Sequence, residues 1–234
     1  MPVLEFLSMN ARPALVLASN SPRRKDLLAL GGWDFEVIVS NADESLIANE
    51  SPADYVLRLA QAKARTVAVR AGGGQVVIAA DTTVVDGNEI MGKPADGAEA
   101  RRMLRQLRGH AHKVYTGIAA LRVSDGVLLT DLCVIDVPMR NYSDEEIDAY
   151  IASGDPLDKA GAYGIQHARA QLVESMRGCY AGVMGLPMCH VTRLLRQLEI
   201  APLSDVPAQC QTLLKYDCPI FEDVLRGEAL RERN

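Results

Sequence analysis

Asp81 lies inside the apolar run VVIAADTTVV at 76–85. A carboxylate in such a run is costly unless it is ion-paired, hydrogen-bonded or bound to a metal. A catalytic base or a Mg2+ ligand would account for it. A bulge whose backbone the carboxylate satisfies would account for it too. Thr82 follows directly and is placed to orient a ligand. Asp43 and Glu44 offer further hard oxygens in NADES at 41–45. Mg2+ needs only one or two carboxylates beside substrate phosphates, so these acids are either part of a cation site or a solvated loop.

A second group is basic. Ser19, Ser21, Arg23, Arg24 and Lys25 fall together in SNSPRRK at 19–25. A helix N-terminus presents free N–H groups and a partial positive charge, and arginines beside it make an anion site suited to phosphate. The plainer account is an ordinary Ser-Pro cap flanked by solvated bases. Lys63 and Lys93 lie at other points along the chain, and either could meet a phosphate as a point charge; a helical lysine such as Lys63 is more commonly solvated. Gln166 ends GAYGIQ at 161–166. Its amide carries a donor and an acceptor on one plane, the equipment for reading a base edge.

Other chemistries lack their motifs. The sequence has no Walker loop, no GxGxxG and no HExxH, and its histidines at 110, 112, 167 and 190 are not at zinc-ligand spacing. Cys133, Cys179, Cys189, Cys210 and Cys218 form no CxxC pair. They read as free, mostly buried thiols of a reducing compartment, and the expected localisation is cytoplasmic.

These residues need elements to hold them. Residues 14–18 read as a buried strand that turns into a helix capped by Ser21, with Pro22 in the first turn, and Gly31-Gly32 stops it. A weak strand at 35–39 follows. Ser51-Pro52 then opens an amphipathic helix over 53–70, with Val56, Leu59 and Ala60 at helical spacing. Residues 75–85 are the most apolar strand, and Asp86-Gly87 turns it back through 89–91. A helix from Asp96 to Gly109, strands over 114–123 and 127–138, a helix from Ser143 to Ser153, and a helix over 186–198 complete the core. Residues 160–166 and 172–175 read as short strand or loop pieces. Strands alternating with helices, then strands in succession, predict an α/β fold with a mixed sheet.

The chain has 234 residues, 48% of them apolar and 24% charged, ordinary globular composition with enough apolar surface for a core. No apolar run reaches the ~18 residues of a membrane span, and MPVLEFLSMN at 1–10 lacks the basic start of a signal peptide. A net charge of −5 and an aromatic content of 5% argue against stable nucleic-acid binding. The arginines at 101, 102, 105 and 108 are the one basic patch and read as a solvated helix face. Three segments are expected: a lead-in at 1–13, a core at 14–199, and an extension at 200–234 with one helix around 220–231.

Taken in order, LASNSPRR (17–24), ADES (42–45), RLAQAKA (58–64), AADTTV (79–84), GKP (92–94), HKVYTG (112–117), SGDPLDKAGAYGIQ (153–166) and GLP (185–187) resemble the Maf family of nucleoside triphosphate pyrophosphatases. The resemblance implies an elongated α/β fold with a twisted mixed sheet and two lobes around a cleft, similar also to the ITPase fold, and a homodimer. It implies hydrolysis of a nucleoside triphosphate to monophosphate and pyrophosphate with a divalent metal, Mg2+ or Mn2+. The family's catalytic acid falls on Asp81, and its dTTP/UTP specificity positions fall on Arg23, Thr82 and Gln166. Its phosphate- and metal-site positions fall on Ser19, Arg24, Glu44, Lys63 and Lys93, with Glu44 and Asp81 as metal ligands.

The resemblance also leaves rivals. A sister branch acts on 7-methyl-GTP, and the family's association with septum formation suggests a regulatory, non-enzymatic role. Possession of both SPRR and YGIQ favours the dTTP/UTP branch. The sequence departs from the family at His167, where a glycine is usual, and in GCYAGVM ahead of GLP.

Overall fold

The computed structural model describes residues 14–166 and 170–227. His167 and the lead-in at 1–13 lie outside the described residues. The expected α/β class is the class observed. A six-stranded sheet runs in the order β2-β1-β3-β5-β6, with β4 paired to β3 off that path. The strands are β1 (Leu15–Leu17), β2 (Phe35–Val37), β3 (Val76–Asp86), β4 (Glu89–Met91), β5 (Ala111–Arg122) and β6 (Leu128–Pro138). β1 is parallel to β2 and β3, while β4, β5 and β6 join antiparallel.

β3 is the strand on which the site depends. It pairs with β5 from Val76 to Val85. On its other edge β1 pairs only as far as Ile78, and β4 begins only at Val84. The sheet is therefore interrupted beside residues 79–83, and Asp81 lies in the middle of the gap. Strand alternation places Val77, Ala79 and Asp81 toward one face and Ile78, Ala80 and Thr82 toward the other.

Helices cover both faces. The helix α1 (Pro22–Ala29) follows β1; Ser21 caps it, its Oγ accepting from Arg24 N, with Pro22 in the first turn. The long helix α2 (Pro52–Ala68), capped by Ser51, buries Val56, Leu59, Ala60, Lys63, Ala64 and Val67. Its Ala60, Ala64 and Val67 pack on Val16, Val77, Ala79 and Ala119 in one core cluster. Gly117 of β5 permits that approach: a Cβ there would lie 2.6 Å from the Val56 carbonyl carbon and oxygen. The other face holds the larger core, built with α3 (Gly97–Leu107), α4 (Asp144–Ala152), α5 (Tyr180–Val183) and α6 (Met188–Gln197).

The arginine-rich helix α3 is ion-paired along its outer side. Arg101 meets Asp148, Arg102 meets Glu89, and Arg105 and Arg108 share Asp144. Acids thus balance the basic patch seen in the sequence. All five cysteines are free thiols, as expected, and three are fully buried.

The segment after Ile200 differs from the single helix expected. It forms two helices, α7 (Val206–Leu214) and α8 (Phe221–Arg226). Asp205 caps α7 and Pro207 lies in its first turn, an N-terminal signal present in the sequence as SDVP at 204–207. Both helices dock on the core. Trp33 Nε1 donates to Ala201 O at 2.9 Å, Leu203 N donates to Gly31 O at 2.9 Å, and Val206 and Val224 are buried. Among the described residues, no helix is long and apolar enough to cross a membrane.

Candidate active site

The interruption in the sheet opens into a cleft of about 890 Å3. Ser19, Arg23, Arg24, Glu44, Lys63, Asp81, Thr82, Lys93 and Gln166, singled out from the sequence, all line it. They arrive from separate places. Ser19, Arg23 and Arg24 come from the β1–α1 turn, and Glu44 from the loop after β2. Lys63 is on α2, Asp81 and Thr82 on β3, Lys93 after β4, and Gln166 in the turn after the 3-10 segment Ala160–Ala162.

Asp81 is the buried acid, only 7% exposed. Lys63 Nζ donates to its Oδ1 at 2.6 Å and also meets Glu44 Oε1 at 2.8 Å. Lys63 is buried rather than solvated because it falls on the inward stripe of α2, three residues after Ala60 and four before Val67. Burial raises the Asp81 carboxyl above its ordinary value, while the charges of Lys63 and Arg24 pull the other way. The outcome is a carboxyl of raised proton affinity facing a polar cleft, the condition sought in a general base.

On the opposite face of β3, Arg24 is fixed by two hydrogen bonds. Its Nε donates to Gly185 O at 2.8 Å and its Nη2 donates to Thr82 Oγ1 at 3.1 Å. Thr82 Oγ1 lies 2.9 Å from Thr116 Oγ1, and Thr116 Oγ1 donates to Gly182 O at 2.9 Å. A hydroxyl has one proton. Thr116 gives its proton to Gly182, so Thr82 must give its own to Thr116 and accept from Arg24. The hydrogen bonds therefore run in one direction from guanidinium to backbone, and the remaining Arg24 N–H groups stay available to the cleft. Burial draws the Arg24 guanidinium down from its ordinary value, and Asp81 partly offsets this.

Lys93 is exposed at the cleft and makes no ion pair among the described residues. Ser19 Oγ accepts from Ser21 N at 3.1 Å, closing the turn that leads into α1. Asp43, paired with Glu44 in the sequence reading, does not line the cleft; its Oδ1 instead accepts from the amide and hydroxyl of Ser45.

Sequence reasoning missed several contributors. Tyr55 lines the cleft and its hydroxyl donates to Glu44 O at 3.1 Å, tying the Glu44 loop to α2. Thr116 and Gly185 hold Thr82 and Arg24. Lys159 also lines the cleft, 8% exposed. For Lys159 the clue was available, a lysine that follows Asp155 and Asp158 and precedes Gly161 and Gly164; for Thr116, one more threonine in a strand, there was none.

The donor set bears on a metal. Glu44 and Asp81 are two carboxylates converging on one point, marked by the Lys63 ammonium. No group of three or more His, Cys, Asp or Glu side chains among the described residues could hold a metal by itself. Two hard carboxylates fit a Mg2+-type ion that takes its other ligands from substrate and water, and they do not make a dedicated cage.

A sequence family described as Maf-like protein matches residues 14–198. The chain belongs to this family. Among the described residues, the match includes every strand of the sheet and every residue lining the cleft. Maf-family relatives align over nearly their whole length. The dTTP/UTP pyrophosphatase of Geotalea uraniireducens (strain Rf4) is 49% identical over 191 residues, which is 81% of this chain and 97% of that one. That of Geobacter sulfurreducens is 49% identical over 185 residues, covering 79% and 96%. That of Anaeromyxobacter dehalogenans (strain 2CP-C) is 46% identical over 187 residues, covering 79% and 94%.

Proposed function

We propose that this protein hydrolyses dTTP and UTP to the monophosphate and pyrophosphate, by attack of water on the α-phosphorus. The observation that carries the reading is a buried carboxylate, Asp81, in a cleft that also gathers Arg23, Arg24, Lys63 and Lys93. On a chain of net charge −5, that gathering of cations suits a triphosphate. The names of the Maf-family relatives support the choice of dTTP and UTP.

Asp81 takes the proton from the attacking water. Arg24, held in place by Thr82 and Gly185, directs its remaining donors at the phosphates, and Lys93 reaches them as a mobile point charge. Lys63 keeps Asp81 and Glu44 together and neutralises them until substrate enters. Arg23 and Gln166 read the pyrimidine. Thr82 acts through Arg24, from whose guanidinium it accepts while its own proton goes to Thr116. Glu44 and Asp81 would hold a divalent cation, Mg2+ or Mn2+, which when bound supplies charge neutralisation on the phosphate oxygens. The protein works as a homodimer in the cytoplasm on this reading, and light scattering checks the assembly.

The test is a panel of dTTP, UTP, CTP and 7-methyl-GTP, scored for pyrophosphate release with Mg2+ and with Mn2+. Preference for dTTP and UTP is expected, and Asp81→Asn should lower kcat by about 10²–10⁴-fold, the usual worth of a general base. Preference for the methylated purine, or full activity in Asp81→Asn, would overturn the reading.

A further inference from the structure

Lys159 is a buried lysine at the cleft that cannot serve a phosphate. Its three ammonium protons are all consumed. Nζ donates to Asp155 O at 2.6 Å, Asp155 Oδ1 at 2.8 Å and Asp158 Oδ1 at 2.6 Å. With its charge neutralised by two carboxylates, it offers a triphosphate little, in contrast to the exposed Lys93. A buried charge held in this way is normally kept for what it fixes.

What it fixes lies against its stem. A Cβ on Gly164 would fall 2.8 Å from Lys159 Cε and 3.0 Å from Cδ. The lysine methylenes therefore form the floor on which the Gly164 backbone rests, two residues before Gln166. The same Asp155 that holds the ammonium reaches that backbone by a second route. Tyr150 OH donates to Asp155 Oδ2 at 2.5 Å and accepts from Gly164 N at 2.9 Å. One carboxylate thus clamps the turn twice, through Lys159 beneath it and Tyr150 beside it. Tyr180 OH donates to Ile165 O at 3.1 Å and fixes the next residue. Gln166 itself is exposed, in a turn.

We infer that Lys159, with Asp155 and Tyr150, is a positioning assembly that sets the direction of the Gln166 amide and so the base selectivity of the cleft. The inference rests on the proposed dTTP/UTP reading and adds residues that act without touching the base. A side-chain amide discriminates between bases only if its donor and acceptor are held in register with the base edge. Uracil presents an acceptor at its C4 carbonyl and a donor at N3, and cytosine inverts both roles. A turn that wanders would blur that distinction while leaving phosphate binding alone.

The experiment measures kcat/KM for UTP and for CTP in the full chain, in Lys159→Met and in Tyr150→Phe. Met keeps the length of the stem and removes the ammonium. Phe removes only the hydroxyl bridge, and Tyr150 does not line the cleft. Both variants should lower the UTP-to-CTP ratio by about tenfold, the scale of one misaligned hydrogen bond, mainly through a higher KM for UTP. A thermal unfolding scan shows that each variant is folded at the assay temperature. If Lys159→Met does not fold, Tyr150→Phe alone decides by the same ratio. An unchanged ratio in a folded variant, or an equal fall for both triphosphates, overturns the positioning role. A wild-type protein with no preference for UTP over CTP would overturn the dTTP/UTP reading and this inference with it. Preference in the wild type that survives in the variants would overturn the inference alone.

Discussion

The one-way chain from Arg24 through Thr82 and Thr116 to Gly182 makes a prediction that pairwise contacts do not. Thr116 is fully buried and does not line the cleft. In Thr116→Val, Thr82 loses the acceptor for its proton, while Gly182 O keeps the Gly185 amide at 3.0 Å. The cost is therefore one hydroxyl left without its partner, about 1–3 kcal/mol. In Thr82→Val, Arg24 loses an acceptor and Thr116 loses a donor, and the cost is of similar size. If the hydroxyls act as one chain, the double variant should be less destabilised than the sum of the singles, by about 1 kcal/mol. Urea unfolding of the four proteins gives the cycle. Pyrophosphate release gives a second reading. Thr82→Val should lower kcat/KM by about 10- to 100-fold, since a hydrogen bond to a charged group is involved. Thr116→Val should show a smaller loss that can reach the cleft only through Thr82. Additivity within about 0.3 kcal/mol, together with unchanged kinetics in Thr116→Val, would refute the chain.

Three further outcomes are expected. Gly117→Ala should destabilise the protein by about 1–3 kcal/mol, read by urea unfolding, because its Cβ meets the Val56 backbone at 2.6 Å; unchanged stability would mean that α2 is free to lift off β5. The raised Asp81 carboxyl should put the acid limb of kcat/KM above the ordinary carboxylate range, with activity rising as the proton is lost. Since its folded-state proton affinity exceeds the unfolded one, its stability contribution is full below the ordinary carboxylate range and is lost as pH rises through the folded value. Stability against urea measured over that window should thus fall as turnover rises. Removal of residues 201–234 exposes the sites of Val206 and Val224 and should cost about 3–6 kcal/mol, read as a lower Tm. Turnover well below that Tm should persist, because among the described residues none that lines the cleft lies beyond Gly185.

Much of the site was legible because its parts violate local rules. Asp81 stands out as a charge in an apolar strand, and Ser21-Pro22 as a helix start beside two arginines. Lys63 was ambiguous. Its place on the buried stripe of α2 follows from the periodicity of Ala60, Ala64 and Val67, but a lone helical lysine is usually solvated, and the acid that accepts it lies 18 residues on in sequence. Thr116 was illegible, since its role depends on register: it stands opposite Thr82 only because β3 and β5 pair in that alignment. The helix α5, four residues long with a cysteine as its cap, has too little periodicity to announce itself. The segment leading into α7 is held by Trp33 and Gly31, more than 160 residues away, and no local pattern carries that.

The interruption beside residues 79–83 also has a mechanical meaning. β1, with the turn that bears Ser19 and Arg24, is attached to β3 at one end of the gap. β4, which leads to Lys93, is attached at the other. These two ledges share no hydrogen-bonded strand pairing with each other, and each is joined to the sheet through β3. The two ledges thus meet only through β3, and Asp81 lies between their points of attachment. Arg24 is tied back to β3 through Thr82, so the β1 ledge is braced across the gap, whereas the exposed Lys93 on the β4 side has no such brace among the described residues.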